Sequence, residues 1–119
     1  MTANTLGLLG LARKAGKLEL GEDPVAAACR SRQARLVLLA SDAAENTTGK
    51  AGRLARAANA RCLGLPFPKE VLGAALGRSS CAVLALTDEG FAKAFLKRFP
   101  QPADAQKKDG GGLFEPDQI

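Results

Sequence analysis

Residues 36–40, Leu36-Val37-Leu38-Leu39-Ala40, are apolar without a break, and Ser41-Asp42-Ala43-Ala44-Glu45 follows at once. A strand packed on one face alternates apolar with polar side chains. An unbroken run is the mark of a strand covered on both faces. Cys81 to Leu86 repeats that mark near the end of the chain. Two doubly covered strands in a short chain require helices on both sides of one sheet.

Working outward, the expected helices fall into place. Residues 4–14 carry Leu6, Leu9 and Arg13 along successive turns, and Gly16 closes that helix. Lys17 to Leu20 reads as a short strand. Gly21-Glu22-Asp23-Pro24 reads as a helix start, because proline suits a first turn and carboxylates favour the positive end of the helix dipole. That helix runs to about Arg32, burying Val25, Ala28 and Cys29. Asp42 and Glu45 have the spacing of a capping box for a third helix over about 43–59, with Lys50, Arg53 and Arg56 on its exposed face. Cys62 to Leu65 is a short strand, residues 69–76 a short helix, and Gly77-Arg78-Ser79-Ser80 a loop. Thr87-Asp88 caps a last helix over about 88–99, in which Phe91, Phe95 and Phe99 form one stripe. The expectation is an α/β fold: a three-layer α/β/α sandwich around a mixed sheet of about four strands. Residues 1–99 form its single domain. Residues 100–119, with Pro100, Pro102 and Gly110-Gly111-Gly112, read as a disordered tail.

The composition narrows the chemistry. Of the 17 Lys and Arg, only Lys107 and Lys108 lie beyond residue 99, against Asp104, Asp109, Glu115 and Asp117. The folded body is therefore more basic than the overall charge of +5 implies, which suits a polyanionic partner. Histidine is absent, so no Ser-His-Asp or Cys-His arrangement is available within the chain. Cys29, Cys62 and Cys81 are odd in number, widely spaced and set in apolar stretches. That pattern suits buried thiols in a reducing cytoplasm, not zinc ligands. There is neither a Walker loop nor a dinucleotide glycine fingerprint. No enzyme, metal site or cofactor is expected. The first apolar run precedes Arg13 and Lys14, the reverse of a signal peptide, and no run approaches the roughly 18 residues of a membrane span. With no Trp or Tyr and three Phe in a core stripe, stacking of single-stranded bases is not expected either.

Four segments, in order, carry a resemblance. They are Leu8-Leu9-Gly10-Leu11-Ala12-Arg13-Lys14-Ala15-Gly16-Lys17; Gly21-Glu22-Asp23; Leu36 through Thr47; and Leu86-Thr87-Asp88-Glu89-Gly90-Phe91-Ala92. Over residues 4–99 the chain resembles the L-seven-Ae / L-thirty-e family of ribosomal and RNA-binding proteins, most closely its bacterial YlxQ-like branch. The resemblance implies an α/β/α sandwich that binds structured RNA: a kink-turn, meaning a bent duplex with tandem sheared G·A pairs, or ribosomal RNA, with the ribosome as one setting. It implies contacts from three elements. These are the second-helix start at Gly21, Glu22 and Asp23, the loop at Ser41 and Asp42, and the loop at Gly77, Arg78 and Ser79. Lys14, Lys17, Lys50 and Arg78 are candidates to neutralise phosphates. The archaeal pattern at the second helix has Asn, Glu and Lys where this chain has Asp23, Pro24 and Ala27. An ionised Asp23 accepts hydrogen bonds but donates none, and Pro24 has no amide to offer. The alternative reading keeps the fold and makes it a protein-interaction module with a degenerate RNA edge. A monomer is the default expectation.

Overall fold

The strands alternate strictly. Leu36, Leu38, Leu84 and Leu86 point to one side of the sheet, Val37, Leu39, Val83 and Ala85 to the other, and each set belongs to a separate apolar cluster. This is the period-two geometry of a pleated strand with both faces covered. The computed structural model describes residues 2–98. The order is α1 (Thr2–Lys14), β1 (Leu18–Leu20), α2 (Glu22–Arg30), β2 (Leu36–Leu39), α3 (Glu45–Ala57), β3 (Arg61–Gly64), α4 (Lys69–Ala75), β4 (Val83–Leu86) and α5 (Glu89–Arg98). The strands form a single sheet in the order β1-β4-β2-β3. β4 is antiparallel to both β1 and β2, while β2 and β3 are parallel. The expected mixed four-stranded sandwich is what the chain forms.

The two helical layers differ in residue size. One packs Leu8, Leu9 and Ala12 of α1, Leu72 of α4, and Ala92 and Phe95 of α5 against the leucine side of the sheet. The other packs Val25, Ala28 and Cys29 of α2 with Ala51 and Ala55 of α3 on the opposite side. Small side chains let α2 and α3 sit close to the sheet and to each other. The leucine layer supplies the larger apolar area, at about 1.5–3 kcal/mol for each fully buried Leu or Phe.

Two expectations at the ends of elements need correction. The third helix begins at Glu45, not 43, with Ala44 at its N-cap and no side-chain cap. Asp42 is therefore too far upstream to cap α3. Its Oδ1 instead accepts the Lys69 amide at 2.8 Å, at the start of α4, where the N-cap residue Pro68 has no side-chain acceptor. The last strand begins at Val83, not Cys81, because the Cys81 amide is turned to the Lys69 carbonyl of α4 at 2.9 Å. The cap at Asp88 is as expected: its Oδ2 accepts the Phe91 amide at 3.0 Å. In the aromatic stripe, Phe95 is fully buried and Phe91 half-buried. Phe99 and the expected tail at 100–119 lie outside the described residues.

Phe95 joins α5 to the core with none of its surface exposed. Phe95→Ala is expected to cost about 3–5 kcal/mol of stability, read as a fall in the urea midpoint with an unchanged slope. A loss below about 1 kcal/mol would contradict the packing described.

Candidate nucleic-acid interface

The registers set which loops meet. Leu20 pairs with Leu84, Leu39 with Val83, and Leu39 with Gly64. The C-terminal ends of β1, β2 and β3 therefore share one edge of the sheet with the N-terminal end of β4. The chain leaves that edge at Gly21, at Ala40-Ser41-Asp42 and at Leu65, and returns to it through residues 78–82. Backbone bonds lock these segments together. The Gly21 amide donates to Val83 O at 2.9 Å, Ala40 to Ala82 O at 2.9 Å, and Ser41 to Phe67 O at 2.8 Å.

Gly21 is the N-cap of α2, with φ 97° and ψ 166°. That region is essentially restricted to glycine, so the strand-to-helix turn depends on the residue. Its carbonyl accepts the Val25 amide at 3.1 Å, and no side chain caps the helix. The amides of Glu22 and Asp23 have no acceptor among the described residues, and Pro24 has no amide. Two free donors thus face outward at a helix N-terminus, where backbone geometry and dipole both favour an anionic or carbonyl oxygen. Glu22 itself is turned aside, because its Oε2 accepts the Thr47 hydroxyl of α3 at 2.8 Å. Lys50 lines the same crevice with Val25, Ala51 and Leu54. That crevice holds about 10 Å³, room for a single water at most. It is not a small-molecule pocket.

The loop before β4 folds back along α4. The Arg78 amide donates to Gly73 O at 2.7 Å. A Cβ at Gly73 would lie 2.5 Å from Ser80 Cα and 2.9 Å from Arg78 O, both backbone atoms that cannot swing away. Absence of a side chain at Gly73 is what lets Arg78, Ser79 and Ser80 lie against the helix. Cys81 sits buried beneath this corner. Burial pushes its thiol above the ordinary range, opposed by the Gly21 and Val83 backbones and by the positive charge of Arg78. The loop that carries Arg78 returns to the Gly21 edge at Ala82 and Val83, whose carbonyls accept the Ala40 and Gly21 amides. Gly77 is on the α1 side, beside the Arg13 guanidinium, which donates to Leu76 O.

Of the residues singled out in the sequence, Gly21, Glu22, Asp23, Ser41, Asp42, Arg78 and Ser79 belong to this edge or its rim. Lys50 approaches it from α3. Gly77 lines a hollow with Lys14 between α1 and α4. Lys17 is at the other end of the strands: its carbonyl accepts the Thr87 amide at 2.9 Å, beyond the C-terminus of β4. The structure does not bring Lys14 or Lys17 to the Gly21 edge. Sequence reasoning missed Lys69 and Gly73. The Pro66–Pro68 break hinted at a helix start here, yet nothing in the spacing links Lys69 to Asp42.

The cysteines offer no exposed nucleophile. Burial raises Cys29, and it raises Cys62 to about 11, with Cys29 adding to the shift and Arg56 opposing it. Among the described residues no group of three or more Cys, Asp or Glu could hold a metal ion, and no helix is long and apolar enough to cross a membrane.

The comparisons with known proteins agree with this fold. The model of the ribosomal protein L7Ae/L30e/S12e/Gadd45 family matches residues 3–96. A protein of Bacillus subtilis (strain 168) called RNA-binding protein YlxQ is 40% identical, over 71% of this chain and 84% of its own length. The protein of the same name from Enterococcus faecium is 35% identical, over 74% and 84%. A solved structure of a Bacillus halodurans C protein, described as of unknown function, superposes with a TM-score of 0.72 at 31% identity, covering 78% of this chain and 93% of that one.

Two outcomes follow from the site. Gly21→Ala is expected to lose about 1–3 kcal/mol from forced backbone strain, measured by chemical denaturation; a neutral result would mean that the turn adapts. For Cys62 the sign is set by a folded pKa above the unfolded one. Its contribution is intact below the unfolded value of 9.0 and lost as pH rises toward about 11. Melting temperature should fall across that window, and less steeply in Cys62→Ala. Equal slopes in the two proteins would refute the assignment.

Proposed function

The chain belongs to the ribosomal protein L7Ae/L30e/S12e/Gadd45 family, and from that membership we propose that it binds structured RNA, without catalysis, as a monomer in the cytoplasm. The RNA is a kink-turn or a ribosomal RNA segment of that shape. The observation that carries the reading is the convergence of the α2 N-terminus, the Ser41 loop and the 78–80 loop at one sheet edge. Two relatives share the name RNA-binding protein YlxQ, which supports the same partner.

In this reading the Glu22 and Asp23 amides donate to oxygens of the RNA, and Gly21 lets the backbone come close. The Asp23 carboxylate accepts from an exposed amino group of guanine or adenine. The Ser41 amide is committed to Phe67, so Ser41 contributes its hydroxyl. Asp42 is held by Lys69 and acts by shaping the loop. Arg78 neutralises a phosphate with its planar fork, and Ser79 lines the rim. Lys50 and Lys69 supply further positive charge nearby. Pro24 and Ala27 leave fewer polar contacts on α2 than the archaeal pattern has, so shape outweighs base reading here.

Titration of the protein into a kink-turn RNA, and into a control whose G·A pairs are replaced, is the test. A preference of about tenfold or more, about 1.4 kcal/mol, is the expected result. Equal binding to both would end the kink-turn assignment, and binding to neither at low salt would end RNA binding. Arg78→Ala should make the slope of log affinity against log salt shallower by about one unit.

A further inference from the structure

At the Gly21 edge the cations Lys50, Lys69 and Arg78 are outnumbered by carboxylates. Five of the eight acidic side chains in residues 2–98 (Glu22, Asp23, Asp42, Glu45 and Glu70) lie at that edge or in the first turns of helices that start from it. The opposite edge reverses the balance. There α2 ends in Arg30, the chain turns through Arg32 at φ 62°, and β2 is entered from Arg35. α3 approaches its end with Arg56, β3 opens on Arg61, and β1 is entered from Lys17. All six side chains are exposed.

Backbone bonds tie these segments to the end of β4. The Arg35 amide donates to Leu86 O at 2.7 Å, and the Thr87 amide to Lys17 O at 2.9 Å. The Arg35 guanidinium also donates to the Arg32 backbone carbonyl at 3.2 Å, which holds the Arg35 side chain against the turn that carries Arg32. The acidic groups at this end are already engaged: Asp88 caps α5, and Glu89 pairs with Lys93 at 3.8 Å. Arg30, Arg32, Arg35 and Arg56 form no ion pair among the described residues. Beside them is an open hollow of about 340 Å³, lined by Arg35, Asn59, Glu89 and Lys93. These four arginines, exposed and outside any ion pair, repel one another and attract a polyanion, and arginine forks match phosphate oxygens.

We propose that this arginine-rich edge is a second RNA surface, which grips the phosphate backbone of a helical segment without reading its bases. It rests on RNA being the ligand, as argued above, but not on kink-turn recognition. The two surfaces sit at opposite ends of the strands, so one molecule engages two separate RNA segments.

The probe is a plain RNA duplex with no bulge and no G·A pairs, titrated with the full chain between about 50 and 200 mM salt. The triple variant Arg30→Gln, Arg32→Gln, Arg35→Gln removes three cations from the end of α2 and the turn into β2. The pair Lys17→Gln, Arg56→Gln removes two from other elements and guards against a folding defect in the first. At about 0.9 per phosphate, the triple variant should make the salt slope shallower by about 2.7 and the pair by about 1.8. Neither should change the ratio of kink-turn to control affinity. Loss of that ratio in the wild type, with duplex slopes still responding, would end the kink-turn reading and leave this surface standing. Slopes unchanged in both variants, or no duplex binding by the wild type at 50 mM salt, would overturn the proposal.

Discussion

β4 lies between β1 and β2 and runs opposite to both. Its two terminal carbonyls are the hinges of the molecule. Val83 O accepts the Gly21 amide at 2.9 Å and Leu86 O accepts the Arg35 amide at 2.7 Å. The first bond holds the start of α2 at one edge of the sheet; the second holds the entry to β2 at the other. A carbonyl buried without a partner costs about 1–3 kcal/mol, so both attachments are strongly selected by the fold. Because β4 is covered on both faces, it has little freedom to slip: a shift of one residue would exchange Leu84 and Leu86 with Val83 and Ala85 between unequal layers.

From that strand the two ends of the molecule acquire different chemistry. Helices α2 and α3 both start near the Gly21 edge, and acidic residues gather in their first turns, where the helix dipole favours them. Both helices finish at the far edge, where Arg30 and Arg56 occupy their last turns. The same rule of helix electrostatics, applied twice in parallel, sorts charge along the strand direction. The Gly21 edge is left with most of the carboxylates, and the far edge with exposed arginines.

Asp42 illustrates how a local signal can be right about chemistry and wrong about partner. It is a helix cap, but for α4 rather than α3. Capping needs an acceptor at the first free amides, and the chain order does not say which helix start lies nearest in space. Lys17 carries the converse lesson. Only three residues lie between it and Gly21, and a strand of about 3.3 Å per residue puts the full height of the sheet between them. Proximity in sequence across a strand is distance in the fold.

Apolar runs, helix periodicity and turn residues were enough by themselves to determine the elements, their order, the mixed four-stranded sandwich and the glycine at the α2 start, because these depend on local geometry and on which faces must be buried. The acidic and basic content was equally legible, but its arrangement was not. Only the tertiary structure decided that Lys17 and the arginines around the end of α2 gather at the opposite end of the strands from Gly21, Ser41 and Arg78. Strand register and helix direction set those positions, and both arise from pairings between residues far apart in the chain.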